Sequence, residues 1–510
     1  MPTTGDRHPA ATEQGLEQAL ARWLPAQRWF AGKGRPITGV QVTSDTELAA
    51  GGGGEPALRH LIVAVTQGQE PAPGSSADRY QVLVGLRASL PGRLEHARIG
   101  VLADGRSAYD ALHDSELARV LLRAIAEQRV IGPVRFARVT GGRLDGGPLA
   151  DGPLSAVALA SGPGPDSLVL TGEQSNTSLV YGEEAILKVF RRVAAGLNPE
   201  LEVSAALGRL GARHVAEPFG WMQTGEGDEL TILSILSRYL RAASDGWSLA
   251  ATSVRDLYAQ PDTSPADAGG DFAGEARRLG TATAEVHRDL VTAFGAAELP
   301  AGAADRLAGP MRRRLADALA AVPELGEHAA MLTAAYAELA GLDEPVPVQR
   351  IHGDYHLGQV MRTQTGWVVL DFEGEPAVPL AARRAPSSPL RDVAGMLRSL
   401  DYAARHQLLD RPERAALERP ARDWVRRNRE AFCAGYAEVG GAADPRKHEV
   451  LLRAFELDKA VYEVMYEARN RPSWLPIPLD SLAAMSAAGP GSGAGTCGPE
   501  AGPDSEAGSR

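Results

Sequence analysis

The chain has 510 residues, 53 Lys+Arg against 64 Asp+Glu, a net charge of −11 at pH 7, and 44% hydrophobic and 23% charged residues. That length calls for two or three cores rather than one, and the acidic balance argues against nucleic acid as a bulk partner. No apolar run reaches the ~18 residues a membrane span needs, the start MPTTGDRHPAATEQG lacks a leader's layout, and Cys433 and Cys497 cannot build a disulfide framework, which together predict a cytoplasmic protein with free thiols.

In chain order, the pattern predicts a short helix over 16–23, a loop at 51–54, and paired strands at 60–65 and 80–86 around a loop at 71–76. A helix near 108–127 and strands through 134–139 follow, then Gly/Pro-rich spacers at 141–153 and 162–165. Residues 167–190 read as a hairpin that turns at Gly182-Glu183. Past about residue 200 the pattern is mostly helical, apart from a loop at 261–270 and a loop and strand at 349–373. Residues 487–510 are too rich in Gly, Pro and Ala to bury a core and are expected to be disordered. The plan is α+β and bilobal: a strand-rich front joined to a helix-rich back.

The chemistry concentrates in Ile351-His352-Gly353-Asp354-Tyr355-His356-Leu357-Gly358-Gln359, followed by Val368-Val369-Leu370-Asp371-Phe372-Glu373. The pattern HGD-x4-Q-x11-D orders an aspartate, an amide and a second aspartate as a phosphotransfer site does. There one Asp accepts the proton of the attacking hydroxyl, while the amide and second Asp hold magnesium. Lys188 lies in an apolar strand, where its ammonium needs an anionic partner. Glu202, on a helix opened by Asn198-Pro199, is the expected partner, with Glu200 the rival. The polar stretch Gln174-Ser175-Asn176-Thr177-Ser178 stands where a phosphate-cradling loop would lie. Lys33 in Gly32-Lys33-Gly34 lacks the spacing of a Walker loop. Arg312-Arg313-Arg314 and Arg426-Arg427 read as solvated helix faces, and Asp392 as a cap or brace. His352 and His356 are expected to order the loop, and His287 to pack in a helix. On the helix over 456–469, Leu457, Ala460, Val461, Val464, Met465 and Ala468 make an apolar stripe. The other face carries Lys459, Tyr462, Glu463, Tyr466 and Arg469, flat rings among polar heads that suit a sugar. Trp474 follows as a stacking platform or a core anchor.

On these residues the chain resembles the actinobacterial maltokinases, relatives of the aminoglycoside phosphotransferases within the kinase-like fold. The resemblance rests on GEQSNTSLVYGEEAILKVFR (172–191), IHGDYHLGQV (351–360), VVLDFEGEP (368–376), SPLRDVAGMLRSLDYAA (388–404), LDKAVYEVMYEARNRPSWLPIPL (457–479) and QRWFAGKGR (27–35). It implies a protein-kinase-like (aminoglycoside phosphotransferase-like) fold with an N-terminal cap at 1–110, an intermediate subdomain at 111–240 completing the nucleotide-binding lobe, and a helical lobe at 241–486. It implies transfer of the ATP γ-phosphate to the anomeric hydroxyl of maltose, with Mg2+. In such families the maltose comes from trehalose, the product feeds α-glucan (glycogen) synthesis, and a trehalose synthase is a plausible partner. Carried over, Asp354 is the catalytic base, Gln359 and Asp371 bind the metal, and Lys188 with Glu202 holds the phosphates. Lys459, Tyr462 and Tyr466 line the maltose pocket.

Two departures stand out: the interlobe hinge Leu236-Ser237-Arg238-Tyr239, and Tyr355 where leucine is usual. Glucosamine or aminoglycoside phosphorylation is the alternative chemistry. A catalytically silent subunit of a trehalose-processing complex is the non-enzymatic alternative, disfavoured by the intact Asp354, Gln359, Asp371 and Lys188.

Overall fold

The computed structural model describes residues 15–52, 56–68, 77–139, 166–170, 172, 175–375, 378–409 and 411–487. The expected loop at 71–76, both spacers, Gln174, Cys497 and the tail from 488 lie outside these residues.

Five strands build the cap sheet: β1 (Ile37–Ala49), β2 (Ala57–Gln67), β3 (Asp78–Arg87), β4 (Arg98–Val101) and β5 (Ser107–Asp110), in the order β1-β2-β3-β5-β4. The stretches expected to pair do so, with Leu61 opposite Val82 and Val63 opposite Tyr80. Side chains alternate across the pleat. Leu61 and Val63 pack under the helix Leu16–Trp23 with Trp29 and Phe30. Leu58 and Ile62 enter a second core, shared with the helix Ser115–Ala126 and the next sheet. The helix expected from 108 starts later because Ser107–Asp110 is strand β5, and Asp114 supplies the cap by accepting from Glu116 N–H.

The second sheet has β6 (Val130–Ile131), β7 (Val134–Arg138), β8 (Ser167–Val169), β9 (Asn176–Tyr181), β10 (Ala185–Phe190), β11 (Pro218–Thr224) and β12 (Thr231–Arg238), in the order β6-β7-β11-β12-β10-β9-β8. β9 and β10 are the expected hairpin, with Lys188 opposite Ser178. The central strands β11 and β12 correct the expectation of mostly helix past residue 200. Both of their faces are covered, so Pro218–Met222 and Thr231–Leu236 are buried as continuous runs without alternation.

The two sheets are tied at Gln81 of β3. Its backbone N–H donates to Arg191 O at 2.9 Å. Its side-chain amide donates to the carbonyls of Phe190 and Leu233, and its oxygen lies 3.1 Å from His60 Nε2. Burial lowers the His60 pKa to about 4, so this bridge is neutral at pH 7. Beside it the buried Arg191 pairs with Asp110, donates to Thr177 Oγ1 at 2.8 Å and lies over the Trp29 ring.

Beyond β12 the back lobe is helical: Gly246–Tyr258, Ala273–Phe294, Asp305–Ala321, Ala329–Ala340, Leu390–His406, Arg414–Ala437, Glu449–Asn470 and Pro476–Ala487 share one core. A small hairpin of Val360–Thr363 and Gly366–Val369 stands against it and carries the 351–373 segment at the lobe boundary. Among the described residues, no helix is long and apolar enough to cross a membrane.

Candidate active site

On β10, Leu187 and Val189 point into the core shared with the cap, which sends Lys188 to the opposite face. There its ammonium meets Glu373 at 2.6 Å, Asp371 at 2.7 Å and Glu200 at 2.8 Å. Burial opposes the charge on Lys188, but the three carboxylates outweigh it and raise the pKa. Burial likewise works against Asp371, which Lys188 nevertheless holds below the usual carboxylate range; burial prevails at Glu200 and Glu373 and pushes both up.

The helix glutamate that reaches Lys188 is therefore Glu200, not Glu202. The helix is Pro199–Arg209, and Asn198 caps it by accepting from Glu200 N–H. Two residues on, a side chain points about 200° further round. Glu202 accordingly faces the other lobe, 2.7 Å from Arg350 and 2.6 Å from Arg384.

The expected phosphate-loop residues also part company. Asn176, Thr177 and Ser178 are strand, not loop. Asn176 donates to Glu373 at 3.0 Å, and Ser178 shares the Lys188 face but is buried. Thr177 pairs with Val189 in register and so points to the cap side, where Arg191 holds it. Ser175 is exposed ahead of the strand.

Around Asp354 the loop is built by Asp392, which accepts from His352 N–H at 2.7 Å and Gly353 N–H at 2.9 Å while facing His287 at 3.1 Å. His352 Nε2 reaches Leu370 O at 2.7 Å, joining this loop to the strand that leads to Asp371. His356 accepts from Gly358 N–H, and burial lowers its pKa to about 4. Gly353 (φ +86) and Gly374 (φ +72) bring the two loops so close that a Cβ on Gly353 would lie 3.5 Å from Gly374 Cα. Asp371 itself takes φ +61, a left-handed conformation uncommon outside glycine that concentrates at functional sites. Its second oxygen lies 3.2 Å from the Gln359 amide. Carboxylate oxygens of Glu200, Asp371 and Glu373 fall within 4.8 Å of one another. The Lys188 ammonium sits among these three; the second Asp371 oxygen and the Gln359 amide beside it are ligands of the kind magnesium takes.

Asp354 opens onto a cleft lined by Arg314, Glu375, Arg391, Phe455, Asp458, Lys459 and Tyr462. Lys459 Nζ lies 3.0 Å from Asp354 and 4.7 Å above the Tyr462 ring. Burial opposes ionisation of Asp354, yet the Lys459 charge holds its pKa at about 2. Tyr466 stacks on Tyr462 one turn further out, at 6.2 Å and 25°.

Two residues of the expected sugar face leave it. Glu463 turns into the contact with the helix Leu390–His406, 2.6 Å from the buried Arg398. Arg469 is exposed, about 15 Å along the helix from Lys459. The guanidinium over the aromatic row is Arg471, 5.3 Å from Tyr466 and 4.0 Å from Trp474. Tyr355 packs inward, its hydroxyl 2.8 Å from Thr283. Glu373, Glu375, Arg391 and Asp458 had no expected site role, and Arg314 belonged to a helix face expected to be solvated. Glu373 alone had a local signal, standing two residues after Asp371.

Two family models match the chain: "Phosphotransferase enzyme family" over residues 168–426 and "Maltokinase N-terminal cap domain" over 23–114. The chain belongs to the phosphotransferase enzyme family, with a kinase-like fold and an N-terminal cap. The glucosamine kinase of Streptacidiphilus jiangxiensis is 32% identical over 327 residues, covering 61% of this chain and 71% of that one. The glucosamine kinase of Mycolicibacterium smegmatis is 29% identical over 336 residues, 62% and 78% of the two chains. A solved glucosamine kinase in complex with glucosamine, ADP and inorganic phosphate shares the fold at a TM-score of 0.60 and 23% identity, over 93% of this chain and 100% of that one.

Proposed function

We propose that this protein is an ATP- and magnesium-dependent sugar kinase whose acceptor is maltose, phosphorylated at its anomeric hydroxyl. The carrying observation is the meeting at the lobe boundary of Lys188, Gln359 and Asp371 with an Asp354 that faces Lys459 and Tyr462. Asp354 takes the proton as the sugar oxygen bonds to the γ-phosphorus and the bond to the β,γ-bridging oxygen breaks, releasing ADP. Lys188, oriented by Glu200, holds the α/β phosphates. Gln359 and Asp371 hold magnesium, which when bound neutralises charge on the phosphates.

Two features favour a neutral disaccharide. The charged groups lining the cleft pair off as Asp354–Lys459, Glu375–Arg391 and Asp458–Arg314, while Asp392 is consumed by the loop. From Lys459 to Tyr466 the helix rises about 10 Å, the length of two hexose rings rather than one. Maltose made from trehalose by a partner trehalose synthase, and a product bound for α-glucan synthesis in the cytoplasm, belong to the same reading; co-purification of the two enzymes tests the pairing.

Glucosamine is the second reading, favoured by the relatives of that name. ADP release on a panel of maltose, glucosamine, glucose and an aminoglycoside, with ATP and magnesium, decides. Robust turnover of glucosamine with none of maltose overturns the acceptor, and turnover of no sugar overturns the kinase.

A further inference from the structure

The arginine triplet at 312–314 divides in the fold. Arg312 and Arg313 are exposed on the helix Asp305–Ala321, while Arg314 turns inward to the cleft and pairs with Asp458 Oδ2. Asp458 immediately precedes Lys459, so both reach the cleft from one turn of the helix Glu449–Asn470. Its other oxygen, Oδ1, is buried with no hydrogen-bond partner. A buried acceptor left unmatched is costly, and the cost is recovered when a donor arrives.

Resting on the sugar-kinase reading, we infer that Asp458, held by Arg314, is a specificity-determining residue that accepts a hydrogen bond from a hydroxyl of the acceptor sugar. The reacting hydroxyl sits at the neighbouring Asp354–Lys459 pair, so the group read at Asp458 belongs to the same ring. A hydroxyl both donates and accepts, and can therefore give its proton to Asp458 while taking one from Arg314. A sugar ammonium only donates and is repelled by the guanidinium. The pair thus selects for hydroxyl over amine at that position.

The test is steady-state kinetics of Asp458→Asn and Arg314→Lys, with deoxy analogues of the accepted sugar. A site built to bond a hydroxyl loses on the order of tenfold or more when that bond goes. KM for the sugar is expected to rise by that factor in both variants, far more than kcat falls, with KM for ATP within about twofold. One deoxy analogue should lose the same factor on the wild type and little further on Asp458→Asn, the non-additivity of a direct contact. If Asp458→Asn fails to fold, Arg314→Lys at a part-exposed position carries the same readout. A wild-type KM for the sugar in the variants, or a parallel rise in KM for ATP, overturns the assignment and leaves the kinase standing. Absence of wild-type turnover on every sugar overturns both.

Discussion

Replacing Lys459 by methionine separates the two forces acting on Asp354. Burial raises its pKa, and Lys459, the largest of the opposing charges, with His356 and His352 behind it, brings it from 3.8 down to about 2. That net drop corresponds to about 2 kcal/mol in favour of the charged form, with burial acting against it. With the largest opposing charge gone and burial left, the carboxyl moves up from about 2. The free-enzyme pKa of a catalytic base sets the acid limb of kcat/KM. In the wild type that limb lies below pH 4; in Lys459→Met it is expected to enter the window of roughly pH 4 to 6. The sign for stability follows. A carboxylate depressed in the folded state stabilises above its unfolded pKa and loses that contribution as pH falls through its folded one. The thermal stability lost in the variant is therefore present at pH 7 and shrinks below about pH 4. The assay is kcat/KM from pH 4 to 8 for both proteins, each normalised to its plateau. Superimposable acid limbs would refute the argument, whatever the absolute rate of the variant.

Other expectations follow from the same geometry. Glu200→Gln should raise KM for ATP about tenfold or more, whereas Glu202→Gln should leave it within twofold and cost about 2 kcal/mol in denaturant unfolding by releasing Arg350 and Arg384; equal effects on KM would contradict the correction. Asp371→Asn should abolish magnesium-dependent turnover while the fold, read by circular dichroism, survives. Tyr355→Phe should cost about 1 kcal/mol by losing the bond to Thr283 and leave KM for the sugar unchanged. Gly395→Ala would set a methyl 2.5 Å from the Tyr355 carbonyl, so kcat should fall by at least tenfold on the reasoning that about 1 Å of misplacement costs that much or more.

Legibility in the sequence tracked how local each cause was. The β9–β10 hairpin, the Asn198 cap and the pairing of β2 with β3 depend on neighbours in the nearby chain, and all could be read. β11 and β12 could not: Phe219-Gly220-Trp221-Met222 and Ile232-Leu233-Ser234-Ile235-Leu236 are short apolar runs whose period does not separate a strand from a buried helix. At the site, the spacing of Asp354, Gln359 and Asp371 was plain. The choice between Glu200 and Glu202 hung on where the other lobe places Arg350 and Arg384, about 150 and 180 residues on. The Arg314–Asp458 pair joins helices 144 residues apart, and nothing near either residue distinguishes it from a solvated charge.

The bond between the two sheets sets a limit on how this enzyme can be cut. Residues 168–426 contain the phosphotransferase match, yet Gln81 caps the Phe190 and Leu233 carbonyls from outside it, and Asp110 neutralises Arg191. The core under Trp221 and Leu236 is likewise closed by Leu58, Ile62 and Leu83. Expressed from residue 168, the segment would begin with an apolar wall facing water and a buried guanidinium without its counter-charge. The catalytic part is not a portable cassette, and chimaeras that exchange acceptor specificity should join at the hinge after β12 and keep the first 238 residues together.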